Sequence, residues 1–263
     1  MAEGAPGADL RVLAGREGAS ERAGEALASS LRTALRQRKT VRLAIPGGSA
    51  LVAATAARAA LGPEWARVAL TWVDERCVPE SAPDSNRGAA RRAGLLDPGE
   101  DPRAAPAPAR VLPLFEDGET PAEAVARVES LLESAFGGQL DVLLLGLGED
   151  GHVASLFPGR PAPGEGRVAH VADSPKPPAD RITLTRSLLA TARHGVLLAT
   201  GEAKREALER LVAGDPTLPV HGLPGLVAVT DLALARTADR TSDGTSGSTL
   251  VGPSDPDREG ETS

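Results

Sequence analysis

The sequence predicts an α/β protein, with a largely parallel sheet covered by helices on both faces. Short apolar runs recur along the chain: VRLAI at 41–45, VALTWV at 68–73, VLLL at 142–145, GVLLAT at 195–200 and LVAVT at 226–230. They are too short for typical helices and apolar at successive positions, as strands buried on both faces are. Between them stand longer segments with Ala and Leu at helical spacing. Several runs end abruptly in Gly, Ser or charged residues, the composition of a turn from strand into helix.

Taken in order, residues 1–8 read as a flexible tail and residues 9–236 as one domain. Residues 10–13 make a first strand. Residues 19–38 follow as a helix that Ser20 is able to cap. Strand 41–45 runs into Pro46-Gly47-Gly48-Ser49, and helix 51–61 stops at Gly62-Pro63. Strand 68–73 ends in Asp74-Glu75-Arg76. Residues 94–110, rich in Pro, Ala and Gly, form a loop. A helix covers 121–135, strand 142–145 follows, and 158–180 is a second Pro/Gly-rich connection. RITLT at 181–185 alternates as a strand does. Strand 195–200, helix 202–213 and strand 226–230 complete the series. From 237 to 263 the chain is Ser, Thr, Gly, Asp and Pro with almost no large apolar residue. Such a segment buries too little surface to offset its ordering entropy and reads as a disordered tail.

Composition narrows the partners. Aromatic residues are 2% of the chain, with no Tyr, which provides poorly for stacking on nucleic-acid bases. A net charge of −7 opposes a polyanionic partner, so no nucleic acid is expected. No segment is long and apolar enough to span a membrane. The first residues, MAEGAPGADL, lack the basic start and apolar run of a secretory signal. A lone cysteine, Cys77, makes no intrachain disulfide and no cysteine-rich metal site. The expectation is a cytoplasmic protein without metal or cofactor, monomeric or weakly dimeric.

Four strand exits carry the candidate chemistry. At the exit near 146–152, Gly148-Glu149-Asp150-Gly151-His152 joins a carboxylate and an imidazole at the end of a buried strand. Open α/β sheets keep their chemistry there, and histidine is the natural general base near neutral pH. Asp150 is placed to hold the tautomer or support the imidazolium. The Pro46–Ser49 exit reads either as a tight capped turn or as an anion site built from glycine backbone and a helix start. Asp74-Glu75-Arg76 is either the solvated end of a strand or a grip in which Arg76 binds phosphate through paired donors. Lys204, in the first turn of a helix, is a surface lysine unless a bound anion offsets the unfavourable dipole.

The stretch from Gly146 to Pro158 resembles the GxGxDGHxASLFP motif of 6-phosphogluconolactonases. Further motifs follow the same family in order: Pro46-Gly47-Gly48-Ser49, WVDERCVP at 72–79 with Asp84-Ser85-Asn86, RITLT at 181–185, and Gly201 to Lys204 leading into REAL. Together the resemblance covers roughly residues 10–236. It implies a Rossmann-like fold of the kind shared by glucosamine-6-phosphate deaminase and ribose-5-phosphate isomerase. It also implies hydrolysis of 6-phospho-D-glucono-1,5-lactone, with His152 and Asp150 catalytic. Gly47, Gly48, Ser49, Asp74, Arg76, Arg181 and Lys204 would hold phosphate or sugar hydroxyls. Val153 stands where the family usually has Thr, and PVHGLPG at 219–225 replaces a more usual segment before the last strand.

Two other readings share the fold. An amino-sugar-phosphate deaminase or isomerase also carries an Asp-Gly-His loop but follows it with a Phe-Asn-Glu type segment, where this chain has Ala154-Ser155-Leu156-Phe157-Pro158. A non-catalytic sugar-phosphate sensor would need a DNA-reading module, for which the residues before Gly47 offer only one strand and one helix.

Overall fold

The computed structural model describes residues 11–14, 18–234 and 249–251. Its strands are β1 (Arg11–Ala14), β2 (Val41–Ile45), β3 (Val68–Trp72), β4 (Asp74–Arg76), β5 (Arg110–Leu112), β6 (Val142–Gly146), β7 (Val168–Val171), β8 (Arg181–Leu184), β9 (His194–Ala199), β10 (Leu226–Thr230) and β11 (Thr249–Val251). The helices are α1 (Ala19–Leu35), α2 (Leu51–Leu61), α3 (Asn86–Arg92), α4 (Pro121–Phe136), α5 (Arg186–Leu189) and α6 (Arg205–Val212). Eight strands form one sheet in the order β11-β1-β10-β9-β6-β2-β3-β5, and every pairing in it is parallel. Strands β2 and β3 are buried along their whole length, which explains their largely apolar sequence.

Helix α1 turns Ala23, Leu27, Leu31 and Ala34 inward at helical spacing and packs on β9 and β10. It lies close to α2 because Gly24 has no side chain: a Cβ there would sit 2.4 Å from the Cβ of Ala56. Helix α4 begins with the capping box of Thr120 and Glu123, preceding Pro121 in its first turn, and packs against β7 and β8. The amino-terminal ends of β2 and β6 are tied by a buried ion pair. The Arg42 guanidinium donates to both Asp141 carboxylate oxygens, at 2.8 and 2.7 Å.

A second, antiparallel sheet, β4-β8-β7, departs from the single sheet the sequence suggests. The handover occurs at Val73. Its N–H donates to Ile45 of β2, while its carbonyl accepts from the Leu184 N–H of β8. The run 68–73 therefore continues as β4 in a different sheet, a change of partner that apolar patterning does not encode. Strand β7 lies in the stretch 158–180 read as a Pro/Gly-rich connection, and β5 starts at the last residue of the 94–110 loop; at four and three residues they are too short for periodicity to register. Ser20 lies inside α1, whose start is Gly18 in a left-handed conformation with no side-chain cap. The proposed flexible tail at 1–8 lies outside the described residues, as does most of 237–263. Within the latter, Thr249–Val251 forms β11, parallel to β1 at the sheet edge, so this short apolar triplet departs from the disorder expected of its surroundings.

Candidate active site

From β2 the chain steps to β3 and β5 on one side, then crosses back to β6, β9 and β10 on the other. The reversal leaves a crevice beyond the carboxyl ends of β2 and β6, where open α/β sheets bind ligands. Three predicted exits open around it: residues 46–49 after β2, 147–152 after β6 and 200–204 after β9. The fourth, β4, continues from neighbouring β3. The end of β6 and the 3₁₀ turn Gly48–Ala50 lie side by side, and a Cβ on Gly146 would meet that of Ala50 at 3.4 Å.

The loop after β6 brings Asp150 and His152 together. His152 Nδ1 lies 2.5 Å from Asp150 Oδ1. The intervening Gly151 makes this possible with a φ of 89°. Gly148 is equally constrained, since a Cβ there would fall 2.0 Å from His152 Nδ1 and 2.5 Å from Asp150 Oδ1. The Gly148 N–H donates to the His152 carbonyl at 2.8 Å and closes the loop. With the carboxylate accepting from Nδ1–H, the imidazole presents Nε2 as its basic atom. Burial of Asp150 opposes its ionisation, but the hydrogen bond and charge of His152 outweigh it and hold the carboxyl below the usual range.

The following turn locks this pair. Val153 and Leu156 bridge, and Ala154 takes a φ of 53°. Ser155 at the turn's tip donates Oγ to Asp74 Oδ2 at 2.7 Å, and its N–H donates to Thr183 Oγ1 at 3.2 Å. Phe157 places its ring 5.1 Å from that of His152. A cavity of about 720 Å³ adjoins this turn, lined in part by Ser155, Phe157, Arg160, Thr185 and Leu218. Phe157, which contacts His152, and Leu218, which packs on Gly151, are among its lining residues, while Asp150 and His152 are not.

The other predicted residues separate into two groups. Gly48 and Ser49 are exposed, and a Cβ on Gly48 would meet nothing within 4 Å. Lys204, in the 3₁₀ turn before α6, directs Nζ to 3.9 Å from Glu149 in the His152 loop. Arg76 is half-buried. One of its terminal nitrogens donates to the Asp84 carbonyl at 2.6 Å, while its Nε is buried with no hydrogen-bond partner among the described residues. These groups are available to a ligand.

Asp74 and Arg181 are buried, and their polar atoms are engaged within the protein. Asp74 accepts from Ser155 and Asn86. Arg181 donates to the carbonyls of Pro178 and Lys176 and lies 3.8 Å from Asp74. Burial lowers the Arg181 pKa against the pull of Asp74, and the nearby Arg76 charge lowers it further. Gly47 is also spoken for: a Cβ there would fall 1.8 Å from Asn86 Oδ1, so its lack of a side chain admits Asn86.

Sequence reasoning did not single out Glu75, Asn86, Ser155 or Thr183 individually, although all are buried and connect the site loops. The Ser85-Asn86 pair carried a usable signal, because Ser85 caps α3 by accepting from the Gly88 N–H at 3.0 Å. Among the described residues no three His, Cys, Asp or Glu side chains converge as a metal site. No described helix is long and apolar enough to cross a membrane.

Comparison with known proteins agrees with this geometry. A family model described as glucosamine-6-phosphate isomerases/6-phosphogluconolactonase matches residues 15–229. The 6-phosphogluconolactonase of Mycobacterium leprae is 36% identical over 219 residues, covering 78% of this chain and 86% of that protein. That of Caulobacter vibrioides is 35% identical over 224 residues, covering 81% and 91%. Among solved structures, 6-phosphogluconolactonase from Thermotoga maritima superposes with a TM-score of 0.71 at 23% identity, over 84% of this chain and 99% of that one. A monomeric glucosamine-6-phosphate deaminase shares the fold with a TM-score of 0.66 at 17% identity, over 84% and 96%. The parallel sheet with its switch-point crevice, the Asp150–His152 loop and a family match across nearly all of the described domain agree: the chain belongs to the glucosamine-6-phosphate isomerase/6-phosphogluconolactonase family.

Proposed function

We propose that the protein hydrolyses 6-phospho-D-glucono-1,5-lactone to 6-phospho-D-gluconate, the second step of the oxidative pentose phosphate pathway, as a cytoplasmic enzyme. The Asp150–His152 pair at the switch point carries this reading, supported by curated relatives of that name over most of the chain. His152 Nε2 takes a proton from water as the water oxygen bonds to the lactone carbonyl carbon. The tetrahedral adduct collapses with cleavage of the bond from that carbon to the ring oxygen. The imidazolium returns its proton to the departing ring oxygen, which becomes the C5 hydroxyl, and the new carboxylic acid ionises. Asp150 supports the imidazolium between the two transfers. Arg76, Lys204 and the Gly48-Ser49 turn take the anionic and hydroxyl end of the substrate. The exits of β6 and β3 are two strand spacings apart, about 10 Å, the length scale of a phosphorylated six-carbon lactone.

The test follows the loss of freshly generated lactone against its spontaneous rate. The wild type accelerates it, and His152→Ala loses about a hundred to ten thousand fold of that rate with an unchanged fold. No acceleration by the wild type overturns the function, and full activity in the variant overturns the mechanism. Glucosamine 6-phosphate, offered in the same assay series, is not deaminated.

A further inference from the structure

We propose that Glu75 is a positioning residue that holds the phosphate-binding half of the site in register. The inference rests on the lactonase reading above and names a residue that reading leaves without a role. Glu75 is 2% exposed. Its carboxylate collects the donors of two separate segments. Oε1 accepts from the backbone N–H of Arg76 and of Asn86, both at 2.8 Å. Oε2 accepts from the Arg87 N–H at 2.6 Å and lies 3.4 Å from the Ser85 hydroxyl. One buried group therefore fixes the backbone of Arg76 and the first turn of α3 together.

Both segments face the anion end of the site. The Arg76 side chain donates to Asp84, immediately before α3, so its guanidinium is aimed from the same junction. Asn86 packs into the gap left by Gly47, and its amide donates to the Asp74 carbonyl at 2.9 Å. The loop after β2, the end of β4 and the start of α3 thus form one unit with the Glu75 carboxylate at its centre. The neighbouring Asp74 carboxylate links this unit to the other half, accepting from Asn86 at one oxygen and, at the other, from Ser155 in the turn that follows His152. Two adjacent acidic residues on one short strand hold the two halves of the site.

The ionised carboxylate is the form that accepts at both oxygens; protonation converts one oxygen to a donor facing backbone donors. Burial pushes Glu75 up to about 7, against the lowering effect of the Arg87, Asn86 and Arg76 N–H groups, and Asp74 adds to the rise. The charged and titratable groups around it are Asp74, Arg76 and Cys77 on its own segment and Arg87 on α3. On the paired strand, Ile182 lies opposite Glu75 and Arg181 opposite Arg76. The Arg87 side chain is occupied by Glu80 at 2.9 Å. The grip on phosphate therefore loosens as pH falls through about 7.

Steady-state kinetics on freshly generated lactone, from pH 6 to 8.5, test this with wild type, Glu75→Gln, Arg76→Ala and the double variant. At pH 8, Glu75→Gln raises KM about tenfold, the scale of one hydrogen bond to a charged group, while kcat changes by less than about threefold. The double variant is worse than Arg76→Ala by clearly less than the tenfold of Glu75→Gln alone, because Glu75 acts in part through Arg76. Wild-type KM rises toward low pH more steeply than that of Glu75→Gln, the substrate phosphate's own titration being common to both. An unchanged KM in Glu75→Gln, full additivity in the double variant, or parallel pH profiles overturns the proposal. If Glu75→Gln does not fold, the wild-type KM profile is compared with that of Arg76→Ala; parallel profiles again overturn it. Wild type that fails to accelerate lactone loss removes the functional reading instead, which keeps the two failures distinct.

Discussion

At the scale of single residues, the site depends as much on missing side chains as on present ones. Gly148 lies where any Cβ would displace the His152 ring or the Asp150 carboxylate. Gly148→Ala is expected to lower kcat by roughly a hundredfold, the cost of misplacing a catalytic group by about an ångström. The thermal midpoint should barely move, and a kcat within a factor of two of wild type would refute the packing argument. Asp150 illustrates the sign of the electrostatics. Its pKa lies below the ordinary 3.8, so the pairing with His152 stabilises the fold above that value and is lost as pH falls through the depressed pKa. His152 and Asp150 were legible as a pair because glycines and charge follow an apolar run abruptly. Their mutual contact was not, because residues two apart meet only when Gly151 takes a positive φ.

At the scale of elements, stability and function occupy opposite ends of the same strands. Arg42 and Asp141 join β2 and β6 at their amino-terminal ends, with side chains only 10% and 8% exposed. Arg38 adds a contact to Asp141 at 2.9 Å. Removing one partner of a buried pair leaves an uncompensated charge, so Asp141→Ala is expected to cost about 3–5 kcal/mol in urea unfolding. Lactone turnover by the folded fraction should be unchanged, because the site lies beyond the carboxyl-terminal ends; a large loss there would refute this separation. The parallel core strands were legible because burial on both faces leaves continuous apolar runs. Strands β4, β5 and β7 were not, since three or four residues carry no period, and the pairing of β4 with β8 depends on Val73 changing partners.

Over the whole molecule, pH and chain ends set two further expectations. Glu75 has its folded pKa raised from 4.5 to about 7. Its contribution to stability is therefore fully present below 4.5 and is lost as pH rises through about 7. The carboxylate that positions Arg76 above neutrality is held there against the preference of the fold. Denaturant unfolding across that window should show wild type losing stability relative to Glu75→Gln as pH rises, and parallel curves would refute it. At the sheet edge, β11 pairs with β1, far along the strand order from β2 and β6. Ending the chain at Leu234 removes that strand and exposes the β1 edge. The thermal midpoint should fall by a few degrees with concentration-dependent association in light scattering. Turnover should persist, and an unchanged midpoint would argue that β11 contributes nothing to the edge.

By itself the sequence determined the fold class, the family motifs and the residue types of the site, because burial period, glycine placement and the order of strand exits are local properties of the chain. It placed His152 and Asp150 at the end of a buried strand and Ser49, Arg76 and Lys204 at other exits. Only the tertiary structure decided which polar residues remain available to a ligand. Asp74 and Arg181 share the motifs of the site, yet burial leaves them bonded to Ser155, Asn86 and the carbonyls of residues 176 and 178. Glu75 reads as one charge among three in sequence, and it becomes the hub that joins the end of β4 to the start of α3 because α3 returns its first N–H groups to it. A buried carboxylate takes its role from the donors that surround it, and those donors come from segments that only folding brings together.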